Sequence, residues 1–274
     1  IKRLKPYIER IEKLPNGKEL RFDESQIDAV YKVLKSRISC LTGGAGCGKT
    51  TILKRIIDCA KVMKMKVKLC SPTGKAAKRM SESTGLPATT IHRLIGFRKQ
   101  GEVIPEGDMI LDEKNQKLID ADWLFVDESS MIDTRLALEL LKAVKSGTRI
   151  TFIGDPNQLP PVSKGCFFYD IIDSGTIPVA KLTKVHRQAN GNDINDVAHA
   201  ILSGDPKKLF LANRKNVKYY NYDQYRTTSQ GGDYSQQQIN EKIQKDLVAK
   251  YIELSKKHGL QDVLVITAKR QLTG

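Results

Sequence analysis

The sequence predicts an α/β protein built on a parallel sheet with helices packed against it. Short β-rich runs alternate with helical patterns of ten or more residues, as in ISCL before TTILKRIIDCAKVMK and LFV before RLALELLKAVK. Strands that alternate with helices of this length are typical of βαβ units, whose strands run parallel. The composition is 40% hydrophobic and 28% charged, and no apolar run approaches the roughly 18 residues that cross a membrane. We therefore expect a globular protein that does not enter a membrane.

The domain organisation follows from where this alternation holds and where it stops. Residues 22–210 predict one α/β domain, preceded by a linker or helix at 1–21. Polar, turn-rich sequence at 97–120 predicts a β-hairpin inserted into that domain. Residues 211–274 predict the beginning of a second domain, in which an amphipathic helical pattern precedes the run DVLVITA, interpreted as a buried strand.

Cysteine usage and charge restrict the class of protein. The five cysteines form no CxxC pair and lie near no histidine at zinc spacing, which predicts reduced thiols in a cytoplasmic protein. The net charge is +15, and residues 1–100 hold 23 Lys and Arg against 8 Asp and Glu. A basic excess confined to one part of a chain favours a polyanionic partner such as nucleic acid. A solvated basic surface would give the same count, so charge alone leaves both interpretations open.

A phosphate-binding loop is predicted between the first strand and the first long helix of the α/β domain. The stretch GGAGCGKTT matches the pattern G-x-x-x-x-G-K-[ST], follows the apolar run ISCL and opens a helical pattern. Glycines let successive backbone N–H groups curl around phosphate oxygens, and the helix dipole favours the anion. Lys49 would reach the β- and γ-phosphates, and the Thr50 hydroxyl would bind Mg²⁺. The predicted nucleotide-binding residues of the loop are Gly43, Gly44, Ala45, Gly46, Cys47, Gly48, Lys49, Thr50 and Thr51.

An acidic pair follows another strand-like run, in the stretch DWLFVDESS. Asp127 and Glu128 would lie at the carboxyl end of that strand, where ligands bind to open α/β sheets. We expect Asp127 to hold Mg²⁺ and Glu128 to orient and deprotonate the attacking water of a phosphoryl transfer. An acidic pair after a strand is often a helix cap, but together with the phosphate-binding loop it predicts a nucleoside triphosphatase.

Two further stretches place hydroxyl and basic side chains after strands. SPTGKAAKRM contains Thr73 and Lys75, and TTIHRLIG contains Thr90 and His92. Hydroxyls, backbone amides and basic groups together suit the phosphates of a nucleic-acid strand. The alternative is a solvated helix surface for the lysine and a structural role for the histidine.

Seven motifs, taken in chain order, resemble those of a known family. They are FDESQIDAV, GGAGCGKTT, SPTGKAAKRM, TTIHRLIG, FVDESSMID, IGDPNQLPPV and LTKVHRQ, within residues 22–188. The sequence resembles superfamily 1 DNA helicases of the RecD-like type, the group around the exodeoxyribonuclease V alpha subunit. The resemblance implies a RecA-like ATPase domain at 22–210, part of a second RecA-like domain at 211–274, ATP with Mg²⁺, and translocation on single-stranded DNA in the 5′→3′ direction. It also implies a role in DNA repair and recombination, with nuclease or helicase subunits as partners.

The resemblance also assigns roles to individual residues. Gln26 matches the glutamine that reads adenine, and Gln158, in the same loop as Asp155, matches one that senses the γ-phosphate. Arg187 matches an arginine that stabilises charge in the transition state, although a surface ion pair would be the simpler role. The residues that match single-stranded DNA contacts are Thr73, Lys75, Thr90 and His92.

Some alternatives stay open at this point. VLVITAKRQLTG resembles the first strand and DNA-contacting turn of the family's second domain, whereas two later motifs do not occur in the chain. We therefore expect nucleotide binding with little turnover and no processive unwinding from the chain as given. The same motifs also occur in the helicase part of conjugative relaxases, and a nucleotide-gated DNA-binding subunit without unwinding activity would share the site. An RNA helicase is disfavoured by the motif set.

Overall fold

A computed structural model describes residues 1–13, 17, 19–44, 46–96, 109–111, 117–184, 193–204, 217 and 234–264. The chain divides into two compact units, Ile1–Gly191 and Asn192–Gly274. The helices among these residues are α1 (Lys5–Ile8), α2 (Glu24–Lys35), α3 (Lys49–Val62), α4 (Gly74–Thr84), α5 (Ile91–Leu94), α6 (Thr134–Ala143), α7 (Phe167–Asp173), α8 (Asp193–Leu202) and α9 (Gln236–His258). Searched over the same residues, no helix combines the length and the apolar character that crossing a bilayer requires.

The first unit is organised around a parallel sheet. The strands of the unit are β1 (Glu12–Lys13), β2 (Glu19–Leu20), β3 (Ile38–Gly43), β4 (Val67–Ser71), β5 (Ala88–Thr90), β6 (Met109–Leu111), β7 (Lys117–Ile119), β8 (Trp123–Val126), β9 (Arg149–Gly154) and β10 (Val179–Leu182). Six of them form one sheet in the order β10-β3-β9-β8-β4-β5, and each neighbouring pair runs parallel. The predicted α/β class with a parallel sheet is confirmed.

Each face of this sheet is covered by its own apolar cluster. On one face, alternate residues such as Leu69 and Phe125 pack against α2, α3 and α4. On the other face, the intervening residues such as Cys70 and Val126 pack against α5, α6 and α7. A strand that is buried on both faces needs apolar residues throughout, which explains the near-continuous runs in the sequence.

The N-terminal residues are anchored on α3 by one buried arginine. Arg55 is 1% exposed, and its Nη1 donates to the backbone carbonyls of Tyr7, Ile8 and Arg10 at 2.9–3.0 Å. Its Nη2 donates to Glu12 at 2.8 Å. A short helix that ends without a partner for its last carbonyls is thereby capped by a side chain from the main domain. The part of 1–21 that the structure describes therefore packs as an integral layer of the first unit.

Two predicted segments are described only in part. β6 and β7 pair antiparallel, with Met109 opposite Ile119, while 97–108 and 112–116 of the predicted insertion lie outside the described residues. In the second unit, α9 covers the segment for which a helix was predicted and begins with a capping box between Ser235 and Gln238. Leu264, in the run interpreted as a buried strand, is 77% exposed, and 265–274 lie outside the described residues. The predicted boundary after residue 210 also falls outside them and stays a prediction.

Candidate nucleotide-binding site

The predicted site residues gather at the carboxyl edge of the six-stranded sheet. Because all six strands are parallel, their carboxyl ends meet at one edge. β3 ends at the phosphate-binding loop, β8 at the acidic pair and β9 at the GDPNQLPPV loop, while β4 and β5 end at the motifs assigned to DNA. The strand order β3-β9-β8-β4-β5 therefore places the nucleotide motifs side by side, with the DNA motifs next to them.

The phosphate-binding loop has the backbone that its glycines allow. Gly46 and Gly48 have φ of 81° and 85°, a left-handed conformation that L side chains rarely adopt. A Cβ at Gly43 would lie 2.9 Å from the backbone oxygen of Leu182 on β10, so a larger residue would push the loop off the sheet. Ala45 lies outside the described residues. α3 begins directly after the loop, at Lys49, so its N-terminal N–H groups face the loop.

Lys49 is held over the loop by the loop's own carbonyls. Its Nζ donates to the backbone oxygens of Gly43 and Gly44, the latter at 3.1 Å. The ammonium group is thus already positioned at the mouth of the loop, with no acidic side chain among these contacts. Thr50, in the first turn of α3, is exposed, whereas Cys47 is 3% exposed and belongs to the core. A phosphate would find a positive charge and a hydroxyl at the same helix N-terminus.

The acidic pair has an unusual backbone and a partly buried carboxylate. Glu128 has φ 51° and ψ 40°, a left-handed conformation in a residue other than glycine. Its backbone N–H donates to Asp127 Oδ1 at 2.9 Å. Burial raises the pKa of the Asp127 carboxyl, and the charge of Glu128 raises it further, while the Glu128 N–H bond and the charge of Lys49 lower it. Strain and a shifted pKa at one position are typical of functional sites.

The residues at this edge fit a magnesium ion. Mg²⁺ prefers oxygen ligands and is usually bound through one or two carboxylates together with substrate phosphates and waters. Asp127 offers a partly buried carboxylate whose charged form a cation would stabilise, and Thr50 offers an exposed hydroxyl on α3. These are the two residues that the sequence predicts as ligands.

Gln158 is linked to the acidic pair by a hydrogen bond that the sequence did not predict. The Ser130 hydroxyl donates to Gln158 Oε1 at 3.2 Å. Ser130 is two residues beyond Glu128, in the stretch DESS. The sequence signal that could have indicated its role is the second hydroxyl residue after the acidic pair. The chain thus connects the two motifs through side chains as well as through the sheet.

The loop that carries Gln158 is shaped by an aspartate as well as by prolines. Asp155 is 7% exposed, and its Oδ1 accepts from the backbone N–H of Asn157 at 3.0 Å. Its backbone oxygen accepts from the N–H of Gln158 at 3.1 Å. An aspartate that bonds the backbone two residues onward makes a tight turn of its own. Asp155 is therefore the structural centre of the loop, and Gln158 is the exposed side chain that the loop presents.

Gln26 lies beside the phosphate-binding loop, but its side chain already makes a hydrogen bond within the protein. It is 4% exposed, and its Oε1 accepts from the backbone N–H of Asp23 at 3.2 Å in a capping box at the start of α2. A Cβ at Gly48 would lie 3.0 Å from Gln26 Nε2, so the amide nitrogen packs against the loop. The location agrees with a role at the nucleotide, whereas the cap uses the acceptor that a bidentate contact with adenine needs.

Thr73 and Thr90 have the same capping role after neighbouring strands. Each follows or ends its strand and caps the next helix, since Thr73 accepts from the N–H of Ala76 at 3.3 Å and Thr90 from that of Arg93 at 3.2 Å. A hydroxyl that accepts a cap bond still has its hydrogen to donate. Of the other residues assigned to DNA, Lys75 and His92 are exposed. Arg187 lies outside the described residues.

Comparisons with known proteins agree with this geometry. A family model described as an AAA domain matches residues 21–221. The chain is similar to an ATP-dependent RecD2 DNA helicase of Deinococcus radiodurans, with 38% identity over 192 residues that cover 70% of this chain and 25% of the relative. It is also similar to the RecBCD enzyme subunit RecD of Mycolicibacterium smegmatis, with 34% identity over 66% of this chain and 36% of the relative.

Among solved structures, a Pif1 helicase from Candida albicans aligns with a TM-score of 0.49 and 23% identity, over 66% of this chain and 44% of that one. The chain spans about a quarter to a third of the length of the two curated relatives. The family match and the six-stranded parallel sheet confirm the predicted P-loop, RecA-like fold. The chain belongs to the AAA-domain family, and its similarity to curated proteins is to RecD-type helicases.

Proposed function

We propose that this chain is the nucleotide-hydrolysing core of an ATP-dependent DNA helicase that moves on single-stranded DNA in the 5′→3′ direction. The observation that carries the proposal is the carboxyl edge of the sheet. There the phosphate-binding loop, the acidic pair and the Gln158 loop follow adjacent strands, and the DNA motifs follow the next two. The named helicases among its relatives support the same activity.

In the proposed reaction the chain's residues bind and orient ATP. Lys49 leaves the carbonyls of its own loop and binds the β- and γ-phosphates, together with the backbone N–H groups at the start of α3. Asp127 and Thr50 would hold Mg²⁺, which would neutralise charge on the phosphates. Glu128 orients the attacking water and accepts its proton, and Gln158 contacts the γ-phosphate while Ser130 holds its amide. For Arg187 we keep the predicted role in stabilising transition-state charge.

The proposed DNA contact uses the two threonine caps. The hydrogens of Thr73 and Thr90 remain available for phosphate oxygens, and Lys75 supplies an exposed positive charge in the first turn of α4. Contacts of this kind position a strand without reading its sequence. We propose that His92, exposed in α5, contributes to the same surface. The proposed setting is the cytoplasm, with nuclease or helicase subunits as partners, as the name of the RecBCD relative suggests.

The proposal is tested by replacing Glu128 with glutamine. Because glutamine keeps the size of the side chain but cannot accept a proton, we expect ATP binding to remain and hydrolysis to fall by about 100-fold or more. Single-turnover hydrolysis of radiolabelled ATP, with protein in excess, suits a chain from which we expect little steady-state turnover. The matched control is Glu82→Gln, which removes an exposed carboxylate from α4.

The outcomes distinguish the proposed motor from a nucleotide-gated DNA-binding subunit. Loss of hydrolysis in the Glu128 variant, with normal hydrolysis in the Glu82 variant, supports the assigned role. Hydrolysis by Glu128→Gln at the parent rate contradicts it. In a longer protein that contains this chain, a motor loses strand separation with this substitution, whereas a nucleotide-gated DNA-binding subunit keeps its partner function.

A further inference from the structure

Ser71 is the first residue of the motif SPTGKAAKRM, and it lies between the two proposed sites without a role of its own assigned so far. It is the last residue of β4, and the sheet register places it opposite Thr90 of β5. On the other side, Cys70 pairs with Val126 of β8, and the N–H of Asp127 donates to the Cys70 carbonyl at 2.9 Å. Asp127 is therefore the next residue opposite Ser71, one strand spacing of about 4.8 Å away.

The side chains of Ser71 and Asp127 lie on the same face of the sheet. Side chains alternate between faces along a strand, and Leu69 and Phe125, two residues earlier, both belong to the cluster that packs against α3. Ser71 and Asp127 therefore continue that face toward the helix that starts at Lys49. The row contains the proposed metal ligand, then Ser71, then a proposed DNA contact.

The Ser71 hydroxyl is buried without a hydrogen-bond partner. Ser71 is 0% exposed, and its Oγ makes no hydrogen bond to any described residue. Two other buried serines do find partners: Ser39 on β3 shares a hydrogen bond of 3.1 Å with Thr151, and Ser129, in the turn after β8, donates to the Val126 carbonyl at 2.8 Å. Leaving a buried hydroxyl unbonded costs about 1–3 kcal/mol, so such a group in a native protein calls for a ligand or an ordered water.

We propose that Ser71 is a positioning residue of the nucleotide site, whose hydroxyl holds a water in the Mg²⁺ coordination shell beside Asp127. The inference rests on the proposed function. Mg²⁺ keeps several of its waters when it binds to proteins, and those waters need acceptors and donors around them. Hydrogen-bond partners in the outer shell orient a metal's ligands and raise the affinity for the metal. A buried hydroxyl next to the ligand carboxylate, with its bonding capacity unused, meets that requirement.

The test is Ser71→Ala, with Ser39→Ala as a matched control. Both serines are at most 1% exposed and lie on strands of the same sheet, but among the described residues only Ser39 has a hydrogen-bond partner. Binding of a fluorescent ATP analogue to the 274-residue chain is measured over a range of Mg²⁺ concentrations and in EDTA. Thermal unfolding is measured in EDTA without nucleotide.

For Ser71→Ala we expect the Mg²⁺ concentration at half-saturation to rise about fivefold, the ratio that corresponds to one ordinary hydrogen bond. Nucleotide binding in EDTA and the unfolding temperature should not fall, because no bond within the protein is lost. Ser39→Ala should show the reverse, a lower unfolding temperature and an unchanged Mg²⁺ requirement.

An unchanged Mg²⁺ requirement in Ser71→Ala overturns the inference and leaves the proposed function intact. So does a loss of stability together with equal weakening of nucleotide binding in EDTA, since that pattern indicates a structural role. If the parent chain binds no nucleotide at any Mg²⁺ concentration, both the proposed function and the role of Ser71 are overturned.

Discussion

The polar residues at the two edges of the parallel sheet differ in how completely they are hydrogen-bonded. At the amino edge, charged side chains find partners within the protein. Arg149, the first residue of β9, donates to the carbonyls of Leu34 and Ser36 at 3.0 and 2.9 Å, and its guanidinium lies 5.3 Å from the centre of the Trp123 ring. Lys66 pairs with Asp120.

At the carboxyl edge, the polar groups are held in place but less completely bonded. Among the described residues, Lys49 donates hydrogen bonds only to carbonyls of its own loop, and Ser71 Oγ has no partner. The pKa of the Asp127 carboxyl is raised. Glu128 keeps a left-handed backbone that costs free energy. This difference is what we expect if the amino edge mainly stabilises the fold and the carboxyl edge binds a ligand, because a ligand can use the hydrogen-bonding groups that the fold leaves unused.

The largest effect expected at the carboxyl edge follows from Lys49→Ala. Removing the ammonium group takes two charge-assisted hydrogen bonds from a bound triphosphate, so nucleotide affinity should fall by at least ~100-fold. Titration with a fluorescent ATP analogue measures the change. The free energy of unfolding without nucleotide should stay within about 1 kcal/mol of the parent value, because Lys49 bonds only to its own loop in the described structure.

Lys54→Ala is the matched control, since Lys54 is an exposed lysine on the same helix, five residues further along. It should leave nucleotide affinity unchanged. Equal affinities for the parent and the Lys49 variant would show that the loop does not bind a triphosphate in the proposed way.

Some features of the carboxyl edge could be predicted from the sequence, whereas others depend on the folded structure. Lys49 and Asp127 were predictable because glycine spacing and an acidic pair after an apolar run have local causes. The capping box between Asp23 and Gln26 also has a local cause, the spacing Asp-x-x-Gln, although the sequence analysis did not use it. The bond between Ser130 and Gln158 depends instead on which strands become neighbours. The role proposed for Ser71 could not be predicted for the same reason, because only the register between β4 and β8 shows that this serine lies beside Asp127.

At the amino edge, Arg149→Leu should be the most damaging substitution for stability. It removes both hydrogen bonds that cap the end of α2 and the contact with Trp123, and we expect a cost of about 2–3 kcal/mol. The unfolding temperature should fall by roughly 5–10 °C. Nucleotide affinity, measured below the unfolding transition, should not change, because the residue lies at the opposite edge from the phosphate-binding loop.

Arg149→Lys sharpens this result, because it keeps the charge and loses the forked geometry that reaches two carbonyls. An intermediate stability is expected. A variant with parent-like stability and weakened nucleotide binding would reverse the assignment of the two edges.

The smallest expected effect compares Asp127 with Asp122, the residues that flank β8 at its two ends. Because the pKa of Asp127 is raised in the folded protein, the folded state binds a proton more readily than the unfolded state. Its contribution to stability is present below about pH 4, the ordinary range for Asp, and is lost as the pH rises through the raised pKa. Asp127→Asn should therefore be slightly more stable than the parent at pH 7.5 in EDTA, with the difference vanishing toward pH 4.

Asp122→Asn should lose a little stability at pH 7.5, because the backbone N–H of Lys66, which donates to Asp122 at 2.6 Å, bonds more weakly to a neutral amide oxygen than to a carboxylate. Thermal unfolding of both variants between pH 4 and 8, without nucleotide or metal, measures the two curves. Opposite signs at the two ends of one strand are expected if the carboxyl edge gives up stability to hold a charge for a ligand. A loss of stability in both variants would mean that Asp127 is bonded as completely as Asp122, and that the edges do not differ.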